Sequence, residues 1–469
     1  MNSNKCKAMK KILLTIIAAF ALVGGLSAQS RTSYFMEGSY FRNSLNPALA
    51  PTRGYIALPG MSGVGLNLSS NFLSIDNFVF QRDNQLVTAF HGSVTADEFL
   101  GKLPSQGNLS LDTEINLLGV GFYTGKTFWT FGLNANMAAN MAMSMDAFKA
   151  LKSLGNGIYD LGNTAFDATS YLDAYVGTSF RLGDHINVGV KAKFLVGVAT
   201  LNGQFSELTA DVNPDYIKAV MSGSWRANGI MFDNSKMGSD DMVFGDMLNF
   251  NLDHIFGSFK NYGLAVDLGA EVRLLNDHLK VSAAITDLGF IKWGPNTHVA
   301  GTIDGGFGFN GFDFETAQML TEMDFAMDVV NAQYAQGYST LLNFSVNVGA
   351  EYNFLQNRIA VGLLSHTKYC NVLTYSELIA SVNFRPTNWI SATVSHTFVN
   401  KNRLGIFGCA INFHPCALNL YAGVDFIDAH WVKGPTIGGM QPSLPRYAKS
   451  ANAYIGLGFN FGRPKFMKE

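Results

Sequence analysis

Between Gly263 and Leu274 the chain reads GLAVDLGAEVRL, and its apolar residues fall on every second position. Leu264, Val266, Leu268, Ala270, Val272 and Leu274 alternate with Ala265, Asp267, Gly269, Glu271 and Arg273. A period of two describes a strand with one apolar face and one face that carries charge. The pattern returns at Phe344, Val346, Val348, Ala350, Tyr352 and Phe354, interleaved with Ser345, Asn347, Gly349, Glu351 and Asn353. It returns again from Ile186 to Val198, where the interleaved set includes Lys191 and Lys193. Ordinary strands are shorter than this, whereas a tilted strand that crosses a bilayer needs about 9 to 11 residues.

The N-terminus points the same way. Lys5, Lys7, Lys10 and Lys11 precede an apolar run from Ile12 to Leu26, followed by Ser27 and Ala28, which is the order of a secretory signal and its cleavage site. The run is 15 residues long, short of the ~20 that a spanning helix needs. The sequence therefore predicts a signal peptide over 1–28, started at Met1 or Met9, and a mature chain that begins near Gln29 outside the cytoplasm. Charged residues make up 14% of the chain, against about 25% in soluble domains. No later apolar stretch is long enough for a helical span, so a closed barrel is the structure that satisfies every backbone hydrogen bond in lipid. A net charge of -2 argues against a nucleic-acid partner. Beyond Cys6 in the signal, Cys370, Cys409 and Cys416 read as reduced packing residues, because Cys409 and Cys416 flank a turn out of register for a bridge.

The turns allow a test of topology. Short connections at Gly125 and Lys126, Gly183 and Asp184, Asn276 and Asp277, Gln356 and Asn357, Pro386 and Thr387, and around Pro415 join alternating segments. Bacterial outer-membrane barrels have short periplasmic turns and long extracellular loops. Strands at roughly 61–70, 114–123, 127–137, 171–182, 185–198, 263–275, 278–288, 342–354, 358–366, 373–385, 388–398, 403–414, 417–427 and 451–461 make about fourteen. All six tight turns then share a side with both termini, and the long connections share the other. An extra hairpin inside 199–262 would make sixteen. The expected layout is a signal over 1–28, an N-terminal hatch over 29–60, an all-β antiparallel transmembrane barrel over 61–461 and a tail over 462–469. The last strand carries Ala453, Ile455, Leu457, Phe459 and Phe461 on one face. It resembles the closing signal read by the outer-membrane insertion machinery, here followed by the tail.

Residues Ser30 to Gly60 do not alternate. They include Tyr34, Phe35, Met36, Glu37 and Gly38, then Asn46, Pro47, Ala48, Leu49, Ala50 and Pro51. An Asn-Pro-Ala step before the first strand resembles the FadL-type family, outer-membrane transporters of long-chain fatty acids and aromatic hydrocarbons whose fourteen-stranded barrels hold an N-terminal hatch. It also resembles the type IX secretion component PorV and related uncharacterised Bacteroidetes outer-membrane families, the last group most of all. The resemblance implies a blocked lumen with gated passage, and makes Arg42, Asn46 and Pro47 the hatch candidates. A plain turn at Asn46-Pro47 is the alternative.

Inside the barrel, Lys191, Lys193, Asp267, Glu271, Arg273, Glu351 and Arg385 are the lumen candidates, with Asp173 and Arg181 on the same faces. They either pair with one another to hydrate a wall or form a selective constriction. Met143, Ala147, Phe148, Leu151 and Leu154 fall at helical spacing, as do Met319, Met323, Ala326, Met327 and Val330. With Phe307, Phe309 and Phe312 in the glycine-rich loop before it, the second segment supplies an apolar candidate surface, Met319 and Met323 included. The nine histidines show no metal or catalytic spacing, and no nucleophile elbow or dinucleotide loop is present. The expectation is no enzyme, no cofactor and no metal. Two functions remain: a FadL-like transporter of hydrophobic or amphipathic small molecules, and a PorV-like scaffold for secreted or surface proteins. Both place the chain in the lipid bilayer of a Gram-negative outer membrane.

Overall fold

The computed structural model describes residues 31–57, 64–82, 85–153, 157–160, 162–213, 216–229, 261–294, 298–309, 312–313, 318–319, 324–334, 336–399, 406–415, 417–427, 431–433, 443–445 and 450–462. Fourteen antiparallel strands close into one barrel. They are β1 (Gly54–Ala57 and Val64–Ser70), β2 (Gln106–Thr124), β3 (Thr127–Ser144), β4 (Ala165–Leu182), β5 (Ile186–Asn213), β6 (Tyr262–Leu274) and β7 (Leu279–Trp293). The ring continues through β8 (Tyr338–Leu341 and Phe344–Phe354), β9 (Ile359–Tyr369), β10 (Thr374–Thr387), β11 (Ile390–Val399), β12 (Ile406–Phe413), β13 (Leu418–Ile427) and β14 (Ser450–Phe461). Each strand pairs with its neighbours in sequence order, and β1 closes the ring by pairing with both β2 and β14. Tyr55 lies opposite Gly121 and Asn460, and Val64 opposite Ile115 and Ile455.

The alternation sorts side chains as a membrane demands. On β6, Leu264 is 56% exposed on the outer wall while Asp267 is fully buried inside. Phe194, Val348, Val361, Val394 and Ile455 likewise face outward, and Ser345, Asn347, Glu351 and Asn383 face the lumen. An apolar outer wall and a polar inner one suit a barrel spanning lipid. Cys370 and Cys409 are free thiols, and Cys416 lies outside the described residues. No helix among the described residues is long and apolar enough to cross a membrane.

The turns are as short as expected, and two share one construction: Leu275, Asn276 and Asp277, and Leu355, Gln356 and Asn357, all have positive φ. The turn expected at Pro386-Thr387 falls two residues later, since β10 runs through Thr387. The first strand starts at Gly54, before the expected residue 61, because Gly54, Tyr55 and Ile56 already pair with β14. A helix does cover Asp146–Ser153, and it buries Phe148 against Phe78 and Phe99 over the loop-side mouth.

The second expected helix is not one. Asp324–Tyr334 is a strand antiparallel to His298–Phe309. Phe325, Met327 and Val329 also fit a period of two, and a short apolar run cannot be assigned by periodicity alone when a partner strand can take its hydrogen bonds. Phe307 and Phe309 belong to that partner strand, Phe312 pairs with Met319 in a two-residue ladder, and Met323 lies outside the described residues. The hairpin inside 199–262 exists, but it leaves the ring at fourteen. Tyr216–Gly229 pairs with the extension of β5 beyond Ala199 and with His298–Phe309, forming a sheet carried on the loop side.

Two measurements check this architecture. The unboiled protein will migrate faster in detergent gels than the boiled protein; recovery from the soluble fraction with no heat-dependent shift would contradict a membrane barrel. In a background with Cys370, Cys409 and Cys416 replaced by serine, Gly92→Cys on the loop side will label in intact cells. Asn388→Cys in a tight turn will label only after lysis, and surface labelling there would invert the topology.

Candidate functional site

The lumen is occupied by the chain's own residues 31–50. A short 3-10 turn, Arg31–Phe35, leads into a helical turn, Arg42–Leu45, and nearly every side chain of both is buried. Neither element is long enough to be stable alone; contacts with the wall hold them. The carbonyls that no helix satisfies are taken by wall side chains. Asn347 Nδ2 donates to Leu45 O at 2.8 Å, Asn419 Nδ2 to Gly38 O at 3.0 Å and Arg385 Nη2 to Phe35 O at 2.7 Å. Lys191 Nζ donates to Asn43 O at 3.2 Å, and Ser179 Oγ donates to Pro47 O. With Tyr34 bonded to Ser282 and Thr32 to Ser395, the segment touches strands around the whole circumference.

Ion pairs add charge complementarity. Arg31 pairs with Glu377, Glu37 with Lys280, and Arg42 Nη2 lies 3.9 Å from Glu271 Oε2. Burial raises the proton affinity of Glu37, but Lys280, Arg385 and Arg42 outweigh it and hold the carboxyl well below the usual carboxylate range. The wall's predicted charges fall into three groups. Lys193 Nζ sits 3.0 Å from Asp267, with Lys191 at 3.9 Å from the same carboxylate; Arg273 Nε is 3.1 Å from Glu271; Arg385 pairs with Glu351.

The hatch candidates meet the wall where it has no side chains. Asn46 Oδ1 accepts from Ala48 N at 2.9 Å, and Asn46 Nδ2 donates to Tyr34 OH at 3.0 Å, so the Asn-Pro step closes a tight turn. That turn lies against glycine. A Cβ on Gly189 would come within 2.1 Å of the Pro47 carbonyl carbon, and one on Gly269 within 2.1 Å of Asn46 Oδ1. Arg42 is placed beside Glu271 through one long contact at 3.9 Å. Among the expected apolar candidates, Phe307, Phe309, Phe312 and Met319 belong to the loop-side ladders and not to this site.

Several residues of the site were not foreseen. Glu377 shares strand parity with Arg385, and Lys280 alternates with the apolar Leu279 and Val281, so both were legible by that rule. Asp287 was not, because strict alternation sends it to the lipid face. A bulge between Val266 and Leu268, with Asp287 at φ 63°, turns it inward to 2.6 Å from Lys193. Arg31 and Glu37 lie in a segment with no period to read.

Cavities lie on both sides of this segment, and two of them matter for the site. One of about 640 Å³ opens on the turn side and is lined by Arg42, Arg273, Lys280 and turn residues such as Asn276 and Gln356. A smaller one of about 80 Å³ lies toward the loops, among Asn67, Asp112, Asn136, His366 and Lys368. Residues 47–425 match the family of unknown function DUF5723. The chain belongs to that family. No curated protein matches it. Among solved structures, the barrel is similar to the Ralstonia pickettii toluene transporter TbuX at 8% identity and a TM-score of 0.40, covering 93% of this chain and 96% of that one. It is similar to the monoaromatic hydrocarbon channel CymD at 8% identity and a TM-score of 0.42, covering 93% and 98%. For a Pseudomonas aeruginosa FadL homologue the values are 10%, 0.38, 94% and 96%.

Replacing Gly189 with valine tests the seat of this family member's plug. The new side chain cannot share space with Pro47, and overpacking of this kind costs about 1–3 kcal/mol. The variant will keep its barrel and heat-dependent gel shift, while protease will cut within residues 31–50 faster than in the parent. An unchanged cutting rate would show that Pro47 does not rest on that wall.

Proposed function

We propose that this protein is a gated conduit for small molecules across the outer membrane of a Gram-negative bacterium, with residues 31–53 as its hatch. The observation that carries this reading is the plug itself: a folded segment inside a polar lumen, with cavities lined by turn-side residues on one side of it and by loop-side residues on the other. A barrel needed only as an anchor has no use for a cavity of about 640 Å³ beside a segment on which its strand pairing does not depend. The walls met by a passing molecule are asparagines, serines and paired charges, so the cargo suited to them is amphipathic rather than wholly hydrophobic. Under this reading the signal over 1–28 delivers the chain to the periplasm, and β14 carries the insertion signal.

The sheet carried on the loop side favours a second reading, as a scaffold for secreted or surface proteins. The extension of β5 with Tyr216–Gly229, His298–Phe309 and Asp324–Tyr334 exceeds what the ring requires. Its strands supply a platform outside the membrane, and pull-down from native outer membranes examines it directly.

The conduit reading is tested by deleting residues 31–50. Strand pairing does not use them, so the barrel will still form, and single-channel conductance in planar bilayers will rise well above that of the intact protein. Equal conductance would remove the hatch and with it the conduit.

A further inference from the structure

We propose that the turn-side cavity beneath the plug binds a small multivalent oxyanion of the phosphate class. Five cationic side chains line it: Arg42 from the plug, and Lys126, Arg181, Arg273 and Lys280 from the wall, against three carboxylates. Glu37 and Glu271 are held by three of these cations, Lys280, Arg273 and Arg42, and with Asp277 counted the lining still keeps an excess of two positive charges. Glu271 Oε1 accepts from Asn187 at 2.8 Å and from Arg273 at 3.1 Å, and Glu37 accepts from Lys280 and from Asn357 at 3.0 Å.

Arg42 is the decisive group. It is 6% exposed, its one ion pair is the 3.9 Å approach to Glu271, and its Nε has no hydrogen-bond partner. A buried guanidinium with an unused donor is costly and calls for an ion or water to satisfy it. Its planar fork matches the paired oxygens of a phosphate, with which it forms charge-assisted, bidentate hydrogen bonds. A cleft lined mostly by one sign of charge also concentrates counter-ions within it.

The loop-side cavity has the opposite balance, with Asp112, Glu114, Asp167 and Asp287 against Arg31 and Lys368. Anion affinity is thus a property of one end of the lumen, the end that holds the tight turns. The barrel wall separates this cavity from lipid, so the ligand is water-soluble rather than a headgroup. The inference does not depend on the conduit reading, since a non-transporting barrel could hold the same ion.

Calorimetric titration of the full-length protein in zwitterionic micelles, at low ionic strength and about pH 7, tests it with pyrophosphate and inorganic phosphate. Saturable binding is expected, tighter for pyrophosphate. Arg42→Gln will weaken it by about tenfold, the loss of one charge-assisted contact. Arg273→Gln will weaken it too, and Lys102→Gln on the loop side will leave it unchanged, with the gel shift verifying each barrel. If Arg42→Gln fails to fold, Arg273→Gln decides. No saturable binding, binding indifferent to the arginine substitutions, or equal weakening by Lys102→Gln overturns the site.

Discussion

The inner wall carries ionised side chains that neither a bilayer nor an apolar core would accept, and the structure follows from how they are satisfied. Asp267, Glu351 and Glu377 are buried almost completely, and an uncompensated buried charge is among the costliest features a fold can hold. The barrel meets that demand in two ways. Neighbouring strands bring cations to the same level, as Lys193 does for Asp267, and the N-terminal segment supplies the rest, as Arg31 does for Glu377. Closing the ring and filling it are therefore one problem, solved by alternation along the strands and by a polar segment running through the middle.

The same arrangement governs how the plug can move. Three ion pairs bind it to the wall, and losing one partner of a buried pair costs about 3–5 kcal/mol. Withdrawal as a whole would break all three together with the hydrogen bonds to Phe35, Gly38, Leu45 and Pro47. Local rearrangement breaks fewer. The contacts are also uneven: Arg31 and Glu37 are tightly paired, whereas Arg42 is loosely held over the larger cavity. Under the conduit reading, an opening that began at Arg42 would leave the N-terminal part of the plug anchored.

Most of the barrel was legible because its physics has a period. Strand direction, turn position and the identity of Lys191, Asp267 and Glu351 as inward residues all follow from alternation and from the short turns. Legibility failed where a local device breaks the period. The bulge that turns Asp287 inward moves the apolar parity from Val281, Ala283 and Ile285 to Leu288 and Phe290, a break that an alternation carried straight through the strand passes over. The stretch from Asp324 to Tyr334 fits both periods, and only its partner at His298–Phe309 decides between them. In the plug, the Asn46-Pro47 turn could be named as a turn, but its seat against Gly189 and Gly269 joins residues far apart in sequence. Arg42 was legible as a charge in a segment without strands; its loose pairing was not.

The central claim is that residues 31–50 rest inside the lumen in one packed arrangement. Hydrogen–deuterium exchange of the full-length protein in micelles tests this most directly. The amides of Met36, Ser39, Asn46 and Leu49 are hydrogen-bonded within the segment and shielded by the wall. Peptides spanning 31–50 will exchange far more slowly than an unstructured chain, and the Gly189→Val variant will release that protection while the strands keep theirs. Exchange of 31–50 at the unstructured rate in the parent would place the segment outside the lumen and contradict the account.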